Sequence, residues 1–443
     1  MTRFAQAFLP KQVFAFIAFV AFLTIGTVSS FAVNIQTVTS AKGIKALLVE
    51  DYTVPIISLS LQFKGGASQD PEHKQGLLRL LSSLLDEGAG PYDNKEFQAR
   101  IEELGVEMGF GAGRDGFTGN LRTLASEADN AFEMLRLALN EPRFDAEAMD
   151  RMKTALISRL VRSKKSPRYL AGLAMREALF AGHAYSQPIS GTQETLEKLN
   201  RADLVGIHHK LFARDNLKIG VVGAISAEQL SVVLDKLFGK LPENAKLRPI
   251  PEITPEFGKK VDVVLDAPQT SISLVYPGLK RNNKDFFAAH LMNHVLGGGS
   301  FSSRLYNEVR EKRGLAYSVY SAISTYDHAA ILTSGTGTRN DRAAEALKVI
   351  KNEIAKMAKD GPSEKELIAA KKYVIGTYAI SNLDTSTKIA GVLVAIQDAN
   401  LGVDYLDRRE DYISSVTRED VQRIAKQLLS VDPTVVTVGP KAS

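Results

Sequence analysis

The hexapeptide LNRADL, Leu199–Leu204, returns in related form as VTREDV, Val416–Val421. The two copies lie 217 residues apart (420 minus 203), and the same spacing relates Leu211 to Leu428. A spacing that stays constant over a whole segment indicates an internal repeat rather than a chance match. The sequence therefore predicts two similar domains.

Strand and helix patterns also occur in pairs. Alternate residues of Ile57–Phe63 are apolar, which is typical of a half-buried strand, and Gln269–Tyr276 has a similar pattern. A leucine-rich helix is predicted at about Gly76–Leu85, and Asp285–Leu296 is its counterpart in the second repeat. A further strand is predicted at Phe110–Leu121. Because strands and helices do not alternate regularly, the predicted fold class is α+β, with two similar domains that each pack a mainly antiparallel sheet against helices.

Chain length and proline content set the predicted boundaries. A chain of 443 residues is too long for a typical single core. Residues 247–260 contain Pro249, Pro251 and Pro255 and little periodicity, which predicts a linker. We therefore predict an N-terminal domain at 33–246 and a C-terminal domain at 261–443.

The N-terminus has the features of a secretory signal peptide. Arg3 and Lys11 precede the uncharged apolar stretch Gln12–Val28, and Ser30-Phe31-Ala32 supplies the small residues that signal peptidase requires. Cleavage there would remove residues 1–32. An uncleaved inner-membrane anchor is the alternative, since the apolar stretch approaches the length of a membrane span. In both cases the rest of the chain is expected in the periplasm.

Composition excludes several classes of function. The chain has no cysteine, which rules out disulfides, a thiol nucleophile and a cysteine-ligated metal site. The formal net charge is only +5, and no dense run of Lys and Arg is interleaved with aromatic residues. Binding to nucleic acid is therefore not expected.

The most specific motif lies in the second repeat, where Leu296–Leu305 reads LGGGSFSSRL and Val309–Val319 reads VREKRGLAYSV. A glycine triplet alone is weak evidence, and this one lacks the lysine and the strand–glycine–helix spacing of a phosphate-binding loop. Together, however, the two segments resemble the inactive-domain signature of the pitrilysin (insulinase-like) metallopeptidase family.

The first repeat resembles the same family. The matching segments are Gly65–Ser68, Gly76-Leu77 at the start of a helix, and Ala181–Tyr185 followed by Pro188–Thr192. The resemblance extends over nearly all of the chain after the signal peptide. It implies the metallohydrolase fold of mitochondrial-processing-peptidase-like proteins in each domain.

The zinc motif of the active family members is altered in this chain. In His-x-x-Glu-His, two histidines at i and i+4 bind zinc, the glutamate polarises the bound water, and a glutamate on a later helix is the third ligand. The resemblance places Arg79 and Ser83 at the histidine positions, Ser82 at the glutamate position and Arg159 near the third ligand. Serine is a poor zinc ligand, and arginine stays protonated and repels a dication. We expect no zinc or other cofactor in this chain, so zinc would belong to a partner chain.

The second repeat contains a pair of histidines that could suggest a metal site. His290 and His294 have the i, i+4 spacing of a zinc pair, and Asn293 lies where the inverted motif has its glutamate. Spacing alone is weak evidence. The predicted role is a packed or solvent-facing pair, with a ligand pair as the alternative.

The resemblance also identifies residues for peptide binding. In this family an arginine and a tyrosine of the glycine-loop domain contact the substrate, and Arg310 and Tyr317 match them. Arginine offers forked donors to a carbonyl, and a phenol stabilises a developing oxyanion. A surface ion pair and a core tyrosine are the structural alternatives, and Arg313 and Tyr320 are nearby substitutes. Glycines without side chains would let the backbone approach a peptide closely; these are Gly297, Gly298 and Gly299.

Altered zinc positions combined with a retained Arg/Tyr pair imply a non-catalytic, substrate-binding subunit. Its expected partner is a homologous catalytic chain with His-x-x-Glu-His, and the heterodimer would degrade unfolded peptides in the periplasm. Two alternatives remain open. One is a secreted peptide-binding or structural core-type protein without proteolysis, and the other is a zinc peptidase with unconventional ligands.

Overall fold

The computed structural model describes residues 34–441, so the predicted signal peptide at 1–32 lies outside the described residues. The first sheet has six strands in the order β1-β2-β6-β3-β5-β4. Within it only β2 and β6 run parallel, and the other neighbours are antiparallel. The strands are β1 (Gln36–Thr39), β2 (Lys45–Glu50), β3 (Ile56–Lys64), β4 (Glu107–Ala112), β5 (Gly116–Leu124) and β6 (Leu217–Gly223).

The second sheet repeats this arrangement with five strands in the order β7-β11-β8-β10-β9. Again one pair, β7 and β11, is parallel. In each sheet the last strand lies antiparallel to a long central strand, β6 beside β3 and β11 beside β8. The strands are β7 (Lys260–Val264), β8 (Gln269–Pro277), β9 (Ala316–Thr325), β10 (Ala330–Arg339) and β11 (Thr434–Gly439). The predicted α+β class with mainly antiparallel sheets is confirmed.

The α-helices of the first half are α1 (Leu77–Ser82), α2 (Asn94–Glu103), α3 (Ala128–Asn140), α4 (Ala146–Ser163), α5 (Pro167–Phe180), α6 (Gln193–Lys198), α7 (Arg201–Leu211) and α8 (Ala227–Phe238). Those of the second half are α9 (Phe286–Asn293), α10 (Ala343–Asp360), α11 (Glu364–Asn382), α12 (Ser386–Asp398), α13 (Tyr405–Ser414) and α14 (Arg418–Leu429). No helix within residues 34–441 is both long enough and apolar enough to cross a lipid bilayer.

The repeated hexapeptide forms the same structure in both halves. Asn200 caps α7 by accepting from the backbone N–H of Asp203 at 3.2 Å, and Thr417 caps α14 through Asp420 at 3.1 Å. In each case the acidic side chain also accepts from the backbone N–H of the capping residue, which completes a capping box. The repeat in sequence is thus a repeat of two helix starts.

The two halves exchange one helix each. Helix α5 of the first half packs on the second sheet, where buried Ala171 contacts Val436 and Val438. Helix α12 of the second half packs on β3 and β6 of the first sheet. A Cβ on Gly220 would lie 2.3 Å from the carbonyl oxygen of Ala390, so this contact requires glycine. Because each sheet is covered by a helix from the other half, the halves interlock.

Two predictions about local structure need comment. The single strand predicted at Phe110–Leu121 is wrong, because the chain reverses between β4 and β5. The turn is closed by a hydrogen bond of 2.8 Å from the N–H of Gly113 to the carbonyl of Gly116. In the predicted linker at 247–260, only Lys260, the first residue of β7, belongs to a helix or strand.

Candidate functional site

The position of α1 is fixed by a buried carboxylate. Asp70 is 1% exposed and accepts from the backbone N–H groups of Gly76 at 2.9 Å and Leu78 at 3.0 Å. Gly76 adopts φ 88°, a left-handed conformation that suits glycine. Burial raises the pKa of the Asp70 carboxyl to about 7, although the backbone N–H groups oppose the shift. The carboxylate satisfies two of the free N–H groups at the helix start and so orients the side chains that follow.

The two serines at the former zinc positions are bonded to their own helix. Ser82 Oγ donates to the carbonyl of Arg79 at 2.9 Å, and Ser83 Oγ donates to the carbonyl of Leu80 at 2.8 Å. Serine hydroxyls that bond to the preceding turn compete with helix propagation. The helix accordingly ends at Ser82, three residues before the predicted Leu85.

Arg79 and Arg159 lie near enough for their charges to interact. Burial lowers the pKa of the Arg79 guanidinium, and the nearby charge of Arg159 lowers it further. Within residues 34–441 neither arginine has a carboxylate at ion-pair distance. Two guanidinium groups and two engaged hydroxyls are an unsuitable donor set for zinc, which binds imidazole, thiolate and carboxylate.

Another set of zinc ligands is also absent from the residues that the structure describes. Among residues 34–441 there is no group of three or more His, Cys, Asp or Glu that could hold a metal ion. His290 and His294 lie on one wall of a cavity between the two halves, and within the described part of the chain no Asp, Glu or further His joins them in a group of three.

The predicted substrate-binding pair is close together and accessible. The guanidinium carbon of Arg310 lies 4.6 Å from the centre of the Tyr317 ring and 4.9 Å from that of Tyr306. The nearest carboxylate to Arg310 is that of Glu311, at 3.8 Å, a weak contact. Tyr317 is 82% exposed, so the predicted alternative of a core tyrosine is wrong. The guanidinium and the phenol are positioned to meet one ligand.

The two nearby substitutes are engaged elsewhere. Arg313 donates to the carboxylate of Glu308 at 2.6 Å and to its carbonyl at 2.8 Å. The ring of Tyr320 covers Gly335 on the neighbouring strand, where a Cβ would lie 2.9 Å from the phenol oxygen. Arg310 and Tyr317 thus remain the candidate pair, and their role in peptide binding stays a prediction.

The first two glycines of the triplet end a π-helical turn, His294–Gly298, that continues α9, and Gly299 follows this turn. A Cβ on Gly297 would lie 2.6 Å from the backbone nitrogen of Ser321, and one on Gly299 would lie 2.8 Å from the carbonyl of His294. Gly298 is less restricted, because its Cβ would meet the side-chain nitrogen of Asn293 at 2.6 Å, a contact that a shift of that side chain relieves. Close backbone packing therefore accounts for Gly297 and Gly299, and the approach of the triplet to a peptide stays a prediction.

Arg304 anchors the second half of the glycine motif. Its guanidinium makes two hydrogen bonds of 2.7 Å to Glu366 at the start of α11, and it also donates to the carbonyl of Gly361 at 3.0 Å. The bidentate contact lowers the pKa of the Glu366 carboxyl to about 2. This ion pair holds the motif against the helices behind it.

A cavity of about 900 Å³ was not predicted from the sequence. It lies between strands β3 and β5 and the helices α9, α11, α12 and α13. Its wall includes His290 and His294, whose i, i+4 spacing is visible in the sequence. It also includes Arg281 and Arg409, which no sequence motif connects. Single arginines separated by more than a hundred residues form no motif, so only the fold brings them together.

Comparison with known proteins identifies both halves. A family model described as insulinase (peptidase family M16) matches residues 45–193, and the peptidase M16 inactive domain matches residues 198–374. The Bacillus subtilis protein YmxG, described as an uncharacterized zinc protease, is 25% identical over 411 residues, which are 92% of this chain and 99% of that protein. A Helicobacter pylori protein described as non-peptidase homolog YmxG is 26% identical over 361 residues, 81% of this chain and 83% of that protein.

Solved structures agree. The crystal structure of a peptidase M16 inactive domain from Pseudomonas fluorescens is 30% identical, with a TM-score of 0.88 over 93% of this chain and 98% of that one. A protease from Helicobacter pylori has a TM-score of 0.83 at 19% identity, over 92% of this chain and 99% of that one, and shows the fold alone. The resemblance found in the sequence is confirmed: this chain belongs to peptidase family M16.

Proposed function

We propose that this chain is the non-catalytic, substrate-binding subunit of a periplasmic heterodimeric zinc metallopeptidase that degrades unfolded peptides. The observation that carries the proposal is the contrast within one chain between the zinc positions and the Arg310–Tyr317 pair. The zinc positions hold guanidinium and hydroxyl groups, whereas the pair is accessible and shares one surface.

The chemistry of Arg310 and Tyr317 suits a peptide near its scissile bond. A guanidinium donates to a peptide carbonyl through two N–H groups, and a phenol donates to the oxyanion that develops when water attacks. Neither group is a base that could activate water, so in this proposal a metal site outside this chain activates the attacking water. That site would be supplied by a homologous catalytic chain with His-x-x-Glu-His, and zinc would be bound there.

The periplasmic location rests on the sequence of residues 1–32, with its basic start, apolar stretch and small-residue cleavage site. The absence of cysteine from the whole chain is compatible with an oxidising compartment. Subunit and partner would then both be secreted and meet outside the cytoplasm.

The test is co-expression of this chain with a homologous chain that carries His-x-x-Glu-His, followed by an assay on an unfolded peptide. Activity should require both chains. Tyr317→Phe removes the phenol oxygen but keeps the ring, and should lower kcat on the order of 10²-fold, as expected for one oxyanion donor. Arg310→Ala should lower activity at least as much.

Arg313→Ala is the matched control, because Arg313 lies three residues from Arg310 and is bound to Glu308. Its complex should keep most of the activity. Full activity of the Arg310→Ala and Tyr317→Phe complexes would overturn the assigned roles. A chain that binds peptides but supports no hydrolysis with any homologous zinc chain would instead identify a secreted peptide-binding protein.

A further inference from the structure

The cavity between the two halves has the dimensions of a small-molecule site. Its volume is about 900 Å³, within the range of roughly 300–1,000 Å³ that is common for ligand pockets. Aromatic side chains form much of the wall, among them Phe286, Tyr378 and Tyr405. Such a wall accepts an organic ligand rather than a bare ion.

Arg409 of α13 is the most unusual group in this wall. Arg409 is only 8% exposed, and its Nε is buried without a hydrogen-bond partner among the described residues. The guanidinium lies 3.7 Å from the centre of the Tyr378 ring and donates to the carbonyl of Val374 at 3.3 Å. Arginine keeps its charge in proteins, and a buried charge without a counter-charge is costly. Within residues 34–441 no carboxylate pairs with Arg409.

A second guanidinium increases the charge instead of balancing it. Arg281 lies in the same wall, stacked 4.4 Å above the Phe286 ring and hydrogen-bonded to the hydroxyl of Tyr405. Its charge is near enough to Arg409 to lower the pKa of that group, after the larger effect of burial. Arg281 likewise has no ion-pair partner among the described residues.

His290 and His294 add ring nitrogens to the wall of the cavity, and one acidic side chain lies in the same wall. Burial lowers the pKa of His290 to about 4, with Arg409, His294 and Arg281 contributing in that order. Asp398 is the one carboxylate among the lining residues that the structure describes. Burial raises the pKa of its carboxyl group. The wall thus has two fixed positive charges and one carboxylate, which makes no ion pair with either arginine within residues 34–441.

We infer that this cavity binds an organic oxyanion, a carboxylate or a phosphate group attached to an apolar body, with Arg281 and Arg409 as its counter-charges. Guanidinium groups bind carboxylate and phosphate through paired N–H donors, and such bonds are stronger than those between neutral groups. The aromatic residues would hold the ligand body, and His290 would gain a negative neighbour. This inference does not depend on the proposed function.

Calorimetric titration of the purified full chain tests the inference with three probes: N-acetylphenylalanine, its uncharged amide, and phenyl phosphate. At least one of the two anionic probes should bind at millimolar or lower concentration, and the amide should not. Binding of N-acetylphenylalanine alone indicates a carboxylate ligand, and binding of phenyl phosphate alone indicates a phosphate ligand. Failure of both anions to bind, or equal binding of the amide, would overturn the inference.

Two variants assign the binding to the cluster. Arg409→Met should weaken binding of the anion about 10- to 100-fold, as expected for the loss of hydrogen bonds to a charged group. Arg408→Met is the matched control, because Arg408 is the adjacent residue, is exposed and pairs with Asp404 at 3.0 Å. Unchanged binding by Arg409→Met would also contradict the inference.

A measurement on the unmodified chain covers the case in which Arg409→Met does not fold. A bound anion should raise the pKa of His290, which NMR can follow by comparing the imidazole signals with those of His290→Gln. A His290 pKa that is the same with saturating anion and without it would place the anion elsewhere and overturn the inference.

Discussion

Helices α1 and α9 occupy the same place in the two halves, each after the long central strand of its sheet. Their polar side chains, however, are of different kinds. Helix α1 presents Arg79 and two serines whose hydroxyls are bound to the helix itself. Helix α9 presents His290, with His294 just after its end, toward a cavity of about 900 Å³. Equivalent positions in one fold thus have different chemistry in each half.

The buried faces of the two helices are alike despite this difference. Leu77, Leu80 and Leu81 of α1 are fully or nearly fully buried, as are Leu291 and Met292 of α9. Burial of apolar side chains provides most of the stability of an amphipathic helix, whereas the polar face is free to change. The fold therefore survives changes at the zinc positions, and the two polar faces can be altered independently.

The largest expected effect comes from giving α1 the ligands that the active family members have. The fourfold variant should gain a zinc site of micromolar or tighter affinity, because two imidazoles and a carboxylate replace two repelling charges; its substitutions are Arg79→His, Ser82→Glu, Ser83→His and Arg159→Glu. Equilibrium dialysis with zinc measures the gain. A threefold variant that retains Arg159 is the control and should bind far more weakly. Failure of the fourfold variant to bind zinc would show that the α1 backbone, and not only its side chains, has lost the site.

A second test compares the two helices by how the unfolding free energy depends on pH. The pKa of His290 is about 4 in the folded chain, below its ordinary value of 6.5, so the unfolded chain takes up the proton first. As pH falls from about 6.5 to 4, the wild type should lose on the order of 3 kcal/mol of unfolding free energy relative to His290→Gln. Denaturant unfolding at several pH values, in buffer without multivalent anions, measures this difference.

Arg79→Met is the control for the first helix, because arginine does not titrate in that range. The difference in unfolding free energy between the wild type and Arg79→Met should be constant from pH 6.5 to 4. A pH-independent difference for His290→Gln as well would show that His290 is not shielded from water.

A smaller effect is expected at the turn that follows α9. Gly297→Ala places a Cβ 2.6 Å from the backbone nitrogen of Ser321, so the turn must shift at a cost of about 1–3 kcal/mol. Gly376→Ala in α11 is the control, since no atom lies within 4 Å of its Cβ position and alanine favours helix by up to about 1 kcal/mol. Thermal unfolding distinguishes the two variants. Equal melting temperatures would mean that close packing does not explain the glycine.

Much of the fold follows from local sequence. The constant spacing predicted the repeat because capping residues such as Asn200 and Thr417 act within one turn of helix. The sequence pattern does not reveal the reversal inside Phe110–Leu121, which a hydrogen bond between Gly113 and Gly116 closes. The exchange of α5 and α12 between the halves is a long-range packing result that no local pattern indicates.

The candidate sites also depend in part on long-range contacts that no local sequence pattern indicates. Arg310 and Tyr317 were found because they lie in one motif, seven residues apart, and the structure places them in contact. Arg281 and Arg409 meet only through the packing of α9 and α13 around the cavity. The unusual feature of Arg409, a buried guanidinium nitrogen without an acceptor among the described residues, is a property of the folded chain.

Zinc analysis of the purified wild-type chain after dialysis against zinc tests the central claim most directly. The side chains at the former zinc positions predict no stoichiometric zinc, because Arg79 and Arg159 repel the ion and the serine hydroxyls are engaged. The same measurement on a variant with His290→Gln and His294→Gln excludes a contribution from the second helix. About one zinc per chain that persists in this variant would contradict the account.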